Sequence, residues 1–141
     1  MNKYIEKYDE DVHSGLLVIA AMSGINTEAT QGAERYIGYG DTKEGFGPAC
    51  ILDVCGTEYV AEPHVTWFPW TNGKNRISNF KWAMEYLAQD RQVFLVAEKK
   101  ETNLFDHFVK KNVLRKVGHL INIPIVKEIH FYQYDKGASN E

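Results

Sequence analysis

The sequence predicts a mixed α/β (α+β) fold in which helices pack on a sheet. In three segments, apolar residues recur every three or four positions, as they do on one face of a helix. Short runs rich in Val, Ile and Phe lie between these segments and favour strands. The predicted strands both follow one another and alternate with helices, which indicates a mixed sheet. A chain of 141 residues has the length of a single domain, predicted here over residues 1–141 with a frayed tail at 136–141.

The composition indicates a soluble globular protein. Hydrophobic residues make up 44% of the chain and charged residues 25%. The net charge of −3 argues against a general nucleic-acid binder. The longest apolar run, Leu16–Met22, is shorter than the roughly 20 residues that a membrane helix needs. Acidic residues precede this run where a signal peptide carries Lys or Arg, so we expect a cytoplasmic protein without a membrane partner.

Neither the cysteines nor the histidines form a metal-binding pattern. Cys50 and Cys55 lie in one apolar segment, where an extended strand would point them to opposite faces. They are therefore predicted to be reduced thiols. His107, His119 and His130 lack the spacing of four residues that places two ligands on one helix face, so no metal site is predicted.

The N-terminal third is predicted to contain one helix and a long connector. Residues 9–24 fit a helix that Asp9 or Asp11 caps and Gly24 ends. One face of this helix is apolar and carries Val12, Leu16, Ile19 and Ala20. The segment Ile25–Gly47 is rich in Gly and polar residues and is predicted to be a mobile connector, with either a short helix or a strand at Arg35–Tyr39.

The middle of the chain is predicted to hold a strand, an extended segment and a helix. Ala49–Val54 fits a buried strand, Gly56 and Thr57 fit a turn, and Tyr59–Trp70 fits a longer extended segment. The helix that follows ends near Asp90. Its apolar face consists of Ile77, Phe80, Met84 and Leu87.

The C-terminal part is predicted to alternate between strand and helix before it closes with two strands. Val93–Ala97 fits a strand that is buried on both faces. Thr102 can cap the next helix. The apolar stripe of that helix consists of Leu104, Phe105, Phe108 and Val109. Ile121–Ile125 and Ile129–Tyr134 are predicted as the closing strands.

The turn between Trp70 and Ile77 has the features of a phosphate-binding site. A turn that feeds a helix N-terminus presents unpaired backbone N–H groups and the positive end of the helix dipole. Gly73 allows close approach of a ligand, and Lys74 and Arg76 add positive charge. The alternative is an ordinary solvated turn whose basic residues contribute to solubility.

These segments resemble the acyl-CoA-binding core of the GNAT acyltransferase superfamily, in which a strand leads into a pyrophosphate loop and then into helix, strand, helix and closing strands. The corresponding segments, in chain order, are Tyr59–Phe68, Thr71–Arg76, Ile77–Gln89, Val93–Ala97, Thr102–Asn112 and Leu120–Tyr134. The resemblance implies a mixed, mostly antiparallel twisted sheet with helices on both faces. The segments Pro63–Trp70, Asn75–Arg76 and Val113–Gly118 are similar to small GNAT-like proteins of tailed bacteriophages.

The resemblance implies an enzyme that transfers an acyl group from acetyl-CoA, or another acyl-CoA, to an amine of a small molecule or protein. Glu62 and His64 lie two residues apart on the central strand, so both face the same side and either could accept the amine's proton. Backbone groups of Phe68 and Trp70 would hold the acyl-pantetheine arm. The pyrophosphate would bind to the turn residues Asn72, Gly73, Lys74, Asn75 and Arg76.

Three positions depart from the family pattern. Asn72 stands where the loop has Arg, Asn75 replaces the second Gly or Ala, and Phe108 replaces a Tyr that acts as general acid. These departures favour an alternative, a catalytically inactive GNAT-shaped phage protein that binds a virion or host protein. The predicted location is then the host cytoplasm or the virion, and assembly into a homo-oligomer stays open.

Overall fold

The computed structural model describes residues 3–98, 102–122 and 127–134. Their elements, in chain order, are β1 (Tyr4–Lys7), α1 (Glu10–Met22), β2 (Glu34–Thr42), β3 (Gly45–Gly56), β4 (Val60–Trp67), α2 (Gly73–Leu87), β5 (Gln92–Glu98), α3 (Thr102–Lys110), β6 (Leu114–Asn122) and β7 (Lys127–Tyr134). The strands form a seven-stranded sheet in the order β1-β2-β3-β4-β5-β7-β6. No helix in these ranges is long and apolar enough to cross a membrane.

The sheet is mixed and mostly antiparallel, which confirms the predicted fold class. β1 pairs with β2, β2 with β3, β5 with β7, and β6 with β7, all antiparallel. β4 pairs in parallel with β5 at Val60–Gln92 and Ala61–Val93. The β2–β3 ladder contains a bulge: Gly38 pairs with Cys50, but the next residue, Tyr39, pairs with Pro48.

The chain divides into two compact units. The first comprises Met1–Cys55 and Pro63–Ala83, and the second comprises Gly56–Glu62 and Met84–Glu141. β4 therefore contributes its first residues to the second unit and its last residues to the first. The prediction of a single domain stays a prediction.

In the first unit, helices pack on both faces of the sheet. The α1 face holds a cluster of fully buried residues, which are Ala20, Ile37, Ile51 and Phe68. Gly38 follows Ile37 in β2, and Cys50 precedes Ile51 in β3. Because successive residues of a strand alternate between faces, both lie on the opposite face of the sheet. On that face they border a small cavity together with Asn79, Trp82 and Ala83 of α2. The burial of each large apolar side chain in the sheet contributes roughly 1.5–3 kcal/mol to the free energy of folding.

In the second unit, α3 packs on β5 and β6. Phe108 of α3 is buried, with an exposed fraction of 1%. Tyr132 of β7 is also buried, and its hydroxyl donates a hydrogen bond to Asp106 Oδ1 at 2.8 Å. The helix ends before Asn112, which takes a left-handed φ of 59°. Asn tolerates this conformation better than most residues do.

The prediction of a mobile connector over Ile25–Gly47 is wrong. Most of the second half of that segment is sheet: β2 spans Glu34–Thr42, and β3 begins at Gly45. The alternative of a strand at Arg35–Tyr39 is confirmed, although the strand is longer. Gly38 and Gly40 lower the strand propensity of the β2 sequence, so its full length was not predicted. β1, which is only four residues long, was not predicted either.

Two other boundaries differ from the prediction. α2 begins at Gly73, four residues before Ile77, so most of the predicted loop Thr71–Arg76 belongs to the helix. β6 begins at Leu114, before the predicted start at Ile121. The prediction started too late because the first part of β6 is charged, and an edge strand can keep charged residues exposed. Of the predicted strand Ile121–Ile125, residues 123–125 lie outside the described residues, as does the predicted tail at 136–141.

Candidate functional site

β4 carries the two predicted catalytic side chains, Glu62 and His64. The odd-numbered residues Ala61 and Pro63 are buried, whereas Glu62 is half-buried and His64 is exposed. Alternation along the strand therefore places Glu62 and His64 on the more accessible side of β4. Glu62 belongs to the second unit and His64 to the first. The geometry that relates them is local, that of two residues on one strand.

The turn after β4 is fixed to β3 by hydrogen bonds to one carbonyl. The Ala49 oxygen accepts the Phe68 N–H at 3.1 Å and the Thr71 hydroxyl at 2.8 Å. Thr71 is buried, with an exposed fraction of 1%. Its own N–H donates to the Phe68 carbonyl at 3.0 Å, which closes the turn. The sequence gives no signal for this role of Thr71, since it depends on a strand 22 residues away.

Trp70 is anchored in the same way. Its indole Nε1–H donates to the Pro48 carbonyl at 2.6 Å, and its own carbonyl accepts the Lys43 N–H at 2.8 Å. Its ring stacks on Phe68 with centroids 4.9 Å apart. The Phe68 N–H and the Phe68 and Trp70 carbonyls, which were predicted to hold the pantetheine arm, thus take part in hydrogen bonds within the protein. A carbonyl oxygen can still accept a second hydrogen bond.

Asn72 is the N-cap of α2. Its side-chain Oδ1 accepts the Asn75 N–H at 3.0 Å, and its carbonyl accepts the Arg76 N–H at 2.9 Å. The cap therefore satisfies one of the donors that a pyrophosphate could use. The N–H groups of Gly73 and Lys74, at the first two helical positions, have no acceptor within the helix. The sequence would have revealed this cap if the helix had been predicted from Gly73.

The first turn of α2 favours an anion. It contains no acidic residue, so no side chain of the helix neutralises the positive end of its dipole. Gly73 and Lys74 are both exposed. A Cβ atom built on Gly73 would have no other atom within 4 Å, so the space beside this residue is open to a ligand.

Arg76 and Asn75 have different surroundings. Arg76 Nε donates to the Thr71 carbonyl at 2.9 Å, and its guanidinium lies 6.0 Å from the centre of the Trp67 ring. Arg76 therefore stabilises the turn. Asn75 Oδ1 is buried and has no hydrogen-bond partner among the described residues. An amide oxygen is a hydrogen-bond acceptor, so it would not bind a phosphate oxygen.

In the second unit, Phe108 stands where the family pattern has the general acid Tyr, and it is part of the core. Phe108 is buried and carries no proton to donate. The Tyr132 pKa is raised, first by burial and then by the hydrogen bond to Asp106. No group of three or more His, Cys, Asp or Glu within residues 3–98, 102–122 and 127–134 is placed to hold a metal ion.

Sequence comparison assigns no relatives to this chain. No protein-family model matches it, and no curated protein matches it.

Solved structures, in contrast, match over nearly the whole chain. A spermidine N-acetyltransferase chimera from Vibrio cholerae and hSSAT superposes with a TM-score of 0.65 at 9% identity, covering 100% of both chains. The ribosomal-protein-S18-alanine N-acetyltransferase of Escherichia coli gives a TM-score of 0.57 at 6% identity, covering 94% of this chain and 93% of that one. A GNAT-family acetyltransferase from Bacillus cereus gives 0.53 at 11% identity, covering 96% and 99%. The chain therefore has the fold of the GNAT-family acetyltransferases.

Proposed function

We propose that this protein is an acyl-CoA-dependent N-acyltransferase whose co-substrate binds at the N-terminus of α2. The observation that carries the proposal is the first turn of α2, where the residues Gly73 and Lys74 are exposed, their N–H groups have no acceptor within the helix, and no acidic side chain is present. The GNAT fold supports it, because the structural neighbours include N-acetyltransferases. Fold alone does not fix a function, so the proposal depends on this site.

Each residue of the turn would have its own role in binding acyl-CoA. The Gly73 and Lys74 amides would donate to pyrophosphate oxygens, and the Lys74 ammonium would add a mobile positive charge. Thr71 and Arg76 would keep the turn in place. The bound co-substrate supplies an acyl thioester that an amine can attack.

The amine must lose a proton before or during the attack, and β4 offers two acceptors for it. We assign the base to His64, which is exposed and carries an imidazole that can accept a proton from the amine, with Glu62 as the alternative on the same strand. Replacing His64 with Gln should lower kcat and leave acetyl-CoA binding unchanged, because the imidazole acts on the acceptor.

Thermal unfolding with and without acetyl-CoA tests the binding step. A ligand present at a hundred times its dissociation constant stabilises the fold by about 2.7 kcal/mol, so the Tm should rise by several degrees. Gly73→Leu should abolish the rise, since its side chain would fill the open space beside the turn. The fold should tolerate this change because a Cβ at Gly73 meets no other atom.

Gly15→Leu is the matched control. Gly15 is also helical and exposed, and a Cβ there meets nothing within 4 Å. This variant should keep the full response to acetyl-CoA. If the native chain shows no shift at millimolar acetyl-CoA, the acyl-CoA proposal fails.

A second candidate function is protein binding by a catalytically inactive phage protein, at a virion or host surface. The outer face of α1 favours it, because the helix carries apolar residues there as well as on its buried face. Four of these side chains are more than half exposed, namely Val12, Val18, Ile19 and Met22. Replacing Ile19 with Glu should weaken binding to such a protein, or to a second copy of the chain, and leave any acetyl-CoA response intact.

A further inference from the structure

A cluster of polar and aromatic side chains joins β1, β2 and α1 in the first unit. It consists of Tyr4, Glu6, His13 and Tyr39, called here the Glu6 cluster. Tyr4 pairs with Tyr39 across the two strands, and Glu6 lies two residues along the same face of β1. The Tyr4 and Tyr39 rings stack with centroids 4.5 Å apart and an angle of 11° between their planes. Tyr4 remains 46% exposed, so part of its ring faces solvent.

His13 orients the Glu6 carboxylate. His13 is buried, and its Nδ1 accepts the Asp9 backbone N–H at 2.8 Å, so that nitrogen carries no proton. The proton of the neutral ring is therefore on Nε2, which donates to Glu6 Oε2 at 2.8 Å. Because the imidazole is neutral in this arrangement, it fixes the carboxylate without cancelling its charge.

Glu6 stays ionised and keeps room for further donors. Hydrogen bonds from His13 and then from Tyr39 lower its pKa. Burial, followed by the hydrogen bond to Glu6, raises the Tyr39 pKa to about 12, so the phenol remains a neutral donor. A carboxylate can accept about four hydrogen bonds, and these two side chains supply two. The side chain of Glu6 is 47% exposed.

The nearby cation Lys3 does not occupy this carboxylate. Its ammonium lies 3.7 Å from Asp41 Oδ2. Among the residues that the structure describes, His13 and Tyr39 bind the Glu6 carboxylate through hydrogen bonds. A fixed negative charge beside a partly exposed aromatic face therefore remains available to a ligand.

We propose that the Glu6 cluster binds an organic cation, a primary ammonium or guanidinium group. The cation would donate hydrogen bonds to the Glu6 carboxylate, and its alkyl chain would lie against the Tyr4 ring. A metal ion fits poorly, because a single carboxylate does not supply enough ligands. The cation could belong to a small amine or to a basic side chain of a polypeptide, since both present the same group. This site is independent of acyl-CoA binding at α2.

NMR of protein with isotope-labelled tyrosine rings tests the site at constant ionic strength. Butylammonium chloride should shift the Tyr4 and Tyr39 signals until they saturate, and 1-butanol should not. Glu6→Gln should weaken the affinity about tenfold or more, because the amide is neutral. Its Oε1 can still accept the His13 N–H, so the variant should fold. Glu10→Gln, at an exposed carboxylate in the first turn of α1, should stay within about twofold of the native affinity.

A second variant keeps the test decisive if Glu6→Gln does not fold. Tyr4→Leu retains the carboxylate but removes the aromatic face, and should weaken binding severalfold. Linear shifts without saturation, equal affinity in the native and Glu6→Gln chains, or equal losses in Glu6→Gln and Glu10→Gln would each overturn the proposal. A terminally blocked tetralysine that binds more than tenfold tighter than butylammonium indicates a polypeptide ligand, and similar affinities indicate a small amine.

Discussion

Arg35 and Asp53 form a two-pronged ion pair across the β2–β3 ladder. Arg35 Nε lies 2.8 Å from Asp53 Oδ1, and Nη2 lies 3.0 Å from Oδ2. The pair also fixes the segment before β2, because Arg35 Nη1 donates to the Thr27 carbonyl at 2.9 Å and Asp53 Oδ2 accepts the Thr30 N–H at 3.2 Å. One pair of side chains thus joins two strands and the chain between α1 and β2.

Replacing Asp53 with Ala should strongly destabilise the protein. The substitution leaves the Arg35 guanidinium, whose side chain is 12% exposed, without its counter-ion. Breaking a buried pair from one side lowers the free energy of unfolding by roughly 3–5 kcal/mol. Urea denaturation measures the loss. Asp90→Ala is the control: its carboxylate is 82% exposed and lies 3.8 Å from Arg91, so its loss should stay below about 1 kcal/mol. Equal effects of the two variants would contradict the prediction.

Gly40 and Gly47 face each other across β2 and β3, but only one of them can accept a side chain. A Cβ on Gly40 would lie 2.1 Å from Asn79 Oδ1, whereas a Cβ on Gly47 would meet nothing within 4 Å. Gly40→Ala should therefore lower stability by about 1–3 kcal/mol, and Gly47→Ala should not.

A double-mutant cycle identifies the cause of the Gly40 effect. Asn79 is held by its Nδ2, which donates to the Asp41 carbonyl at 2.9 Å, so it cannot easily move away. In an Asn79→Ala background, Gly40→Ala should cost clearly less than in the native chain. If the cost is unchanged, contact with Asn79 is not its source.

Cys50 should make the protein sensitive to alkaline pH. Burial raises the pKa of its thiol from 9.0 to about 12. The unfolded chain ionises near pH 9 and the folded chain does not, so stability is full below pH 9 and falls as pH rises toward 12. At about 1.4 kcal/mol per pKa unit, the loss reaches about 2 kcal/mol near pH 10.5. Cys50→Ala should flatten this decline in urea titrations at pH 8 and pH 10.5, and parallel curves would refute the assignment.

Asn72 should contribute to stability through its cap. Asn72→Ala removes the acceptor of the Asn75 N–H and should lower the free energy of unfolding by about 1 kcal/mol. Asn72→Asp keeps an acceptor and adds a favourable charge at the helix N-terminus, so it should remain close to the native stability. Thermal unfolding distinguishes the two, and a loss as large in Asn72→Asp as in Asn72→Ala would exclude the cap as the cause.

The sequence predicted best where local pattern and tertiary packing agree. The apolar spacing from Ile77 to Leu87 identified α2, and the short apolar run at Val93–Ala97 identified β5, because each element buries one regular face. The prediction that β5 is buried on both faces is wrong, since Val96 is 39% exposed. The full length of β2 was not predicted, because its glycines are set by contacts with residues distant in the chain: Gly40 faces Asn79, and Gly38 faces the Cys50 sulfur. No local rule contains those contacts.

The candidate site was predictable only in part, for the same reason. The turn was located by Gly73 and its basic neighbours, and its residues do begin a helix. The anchoring of Thr71 on Ala49 and the pairing of Glu6 with His13 could not be predicted, because each joins separate elements. Glu6 lies on β1 and His13 lies on α1, so no periodicity of a single helix or strand relates the two residues.

The bulge in the β2–β3 ladder limits how this protein can vary in length. Because Gly38 pairs with Cys50 and Tyr39 with Pro48, Ala49 is the extra residue, and its carbonyl receives both donors that anchor the turn before α2. Deleting Ala49 would restore a regular ladder and remove that shared acceptor. Substitutions in this strand should thus be tolerated far more readily than insertions or deletions, so chain length around Ala49 should be nearly invariant in any functional variant.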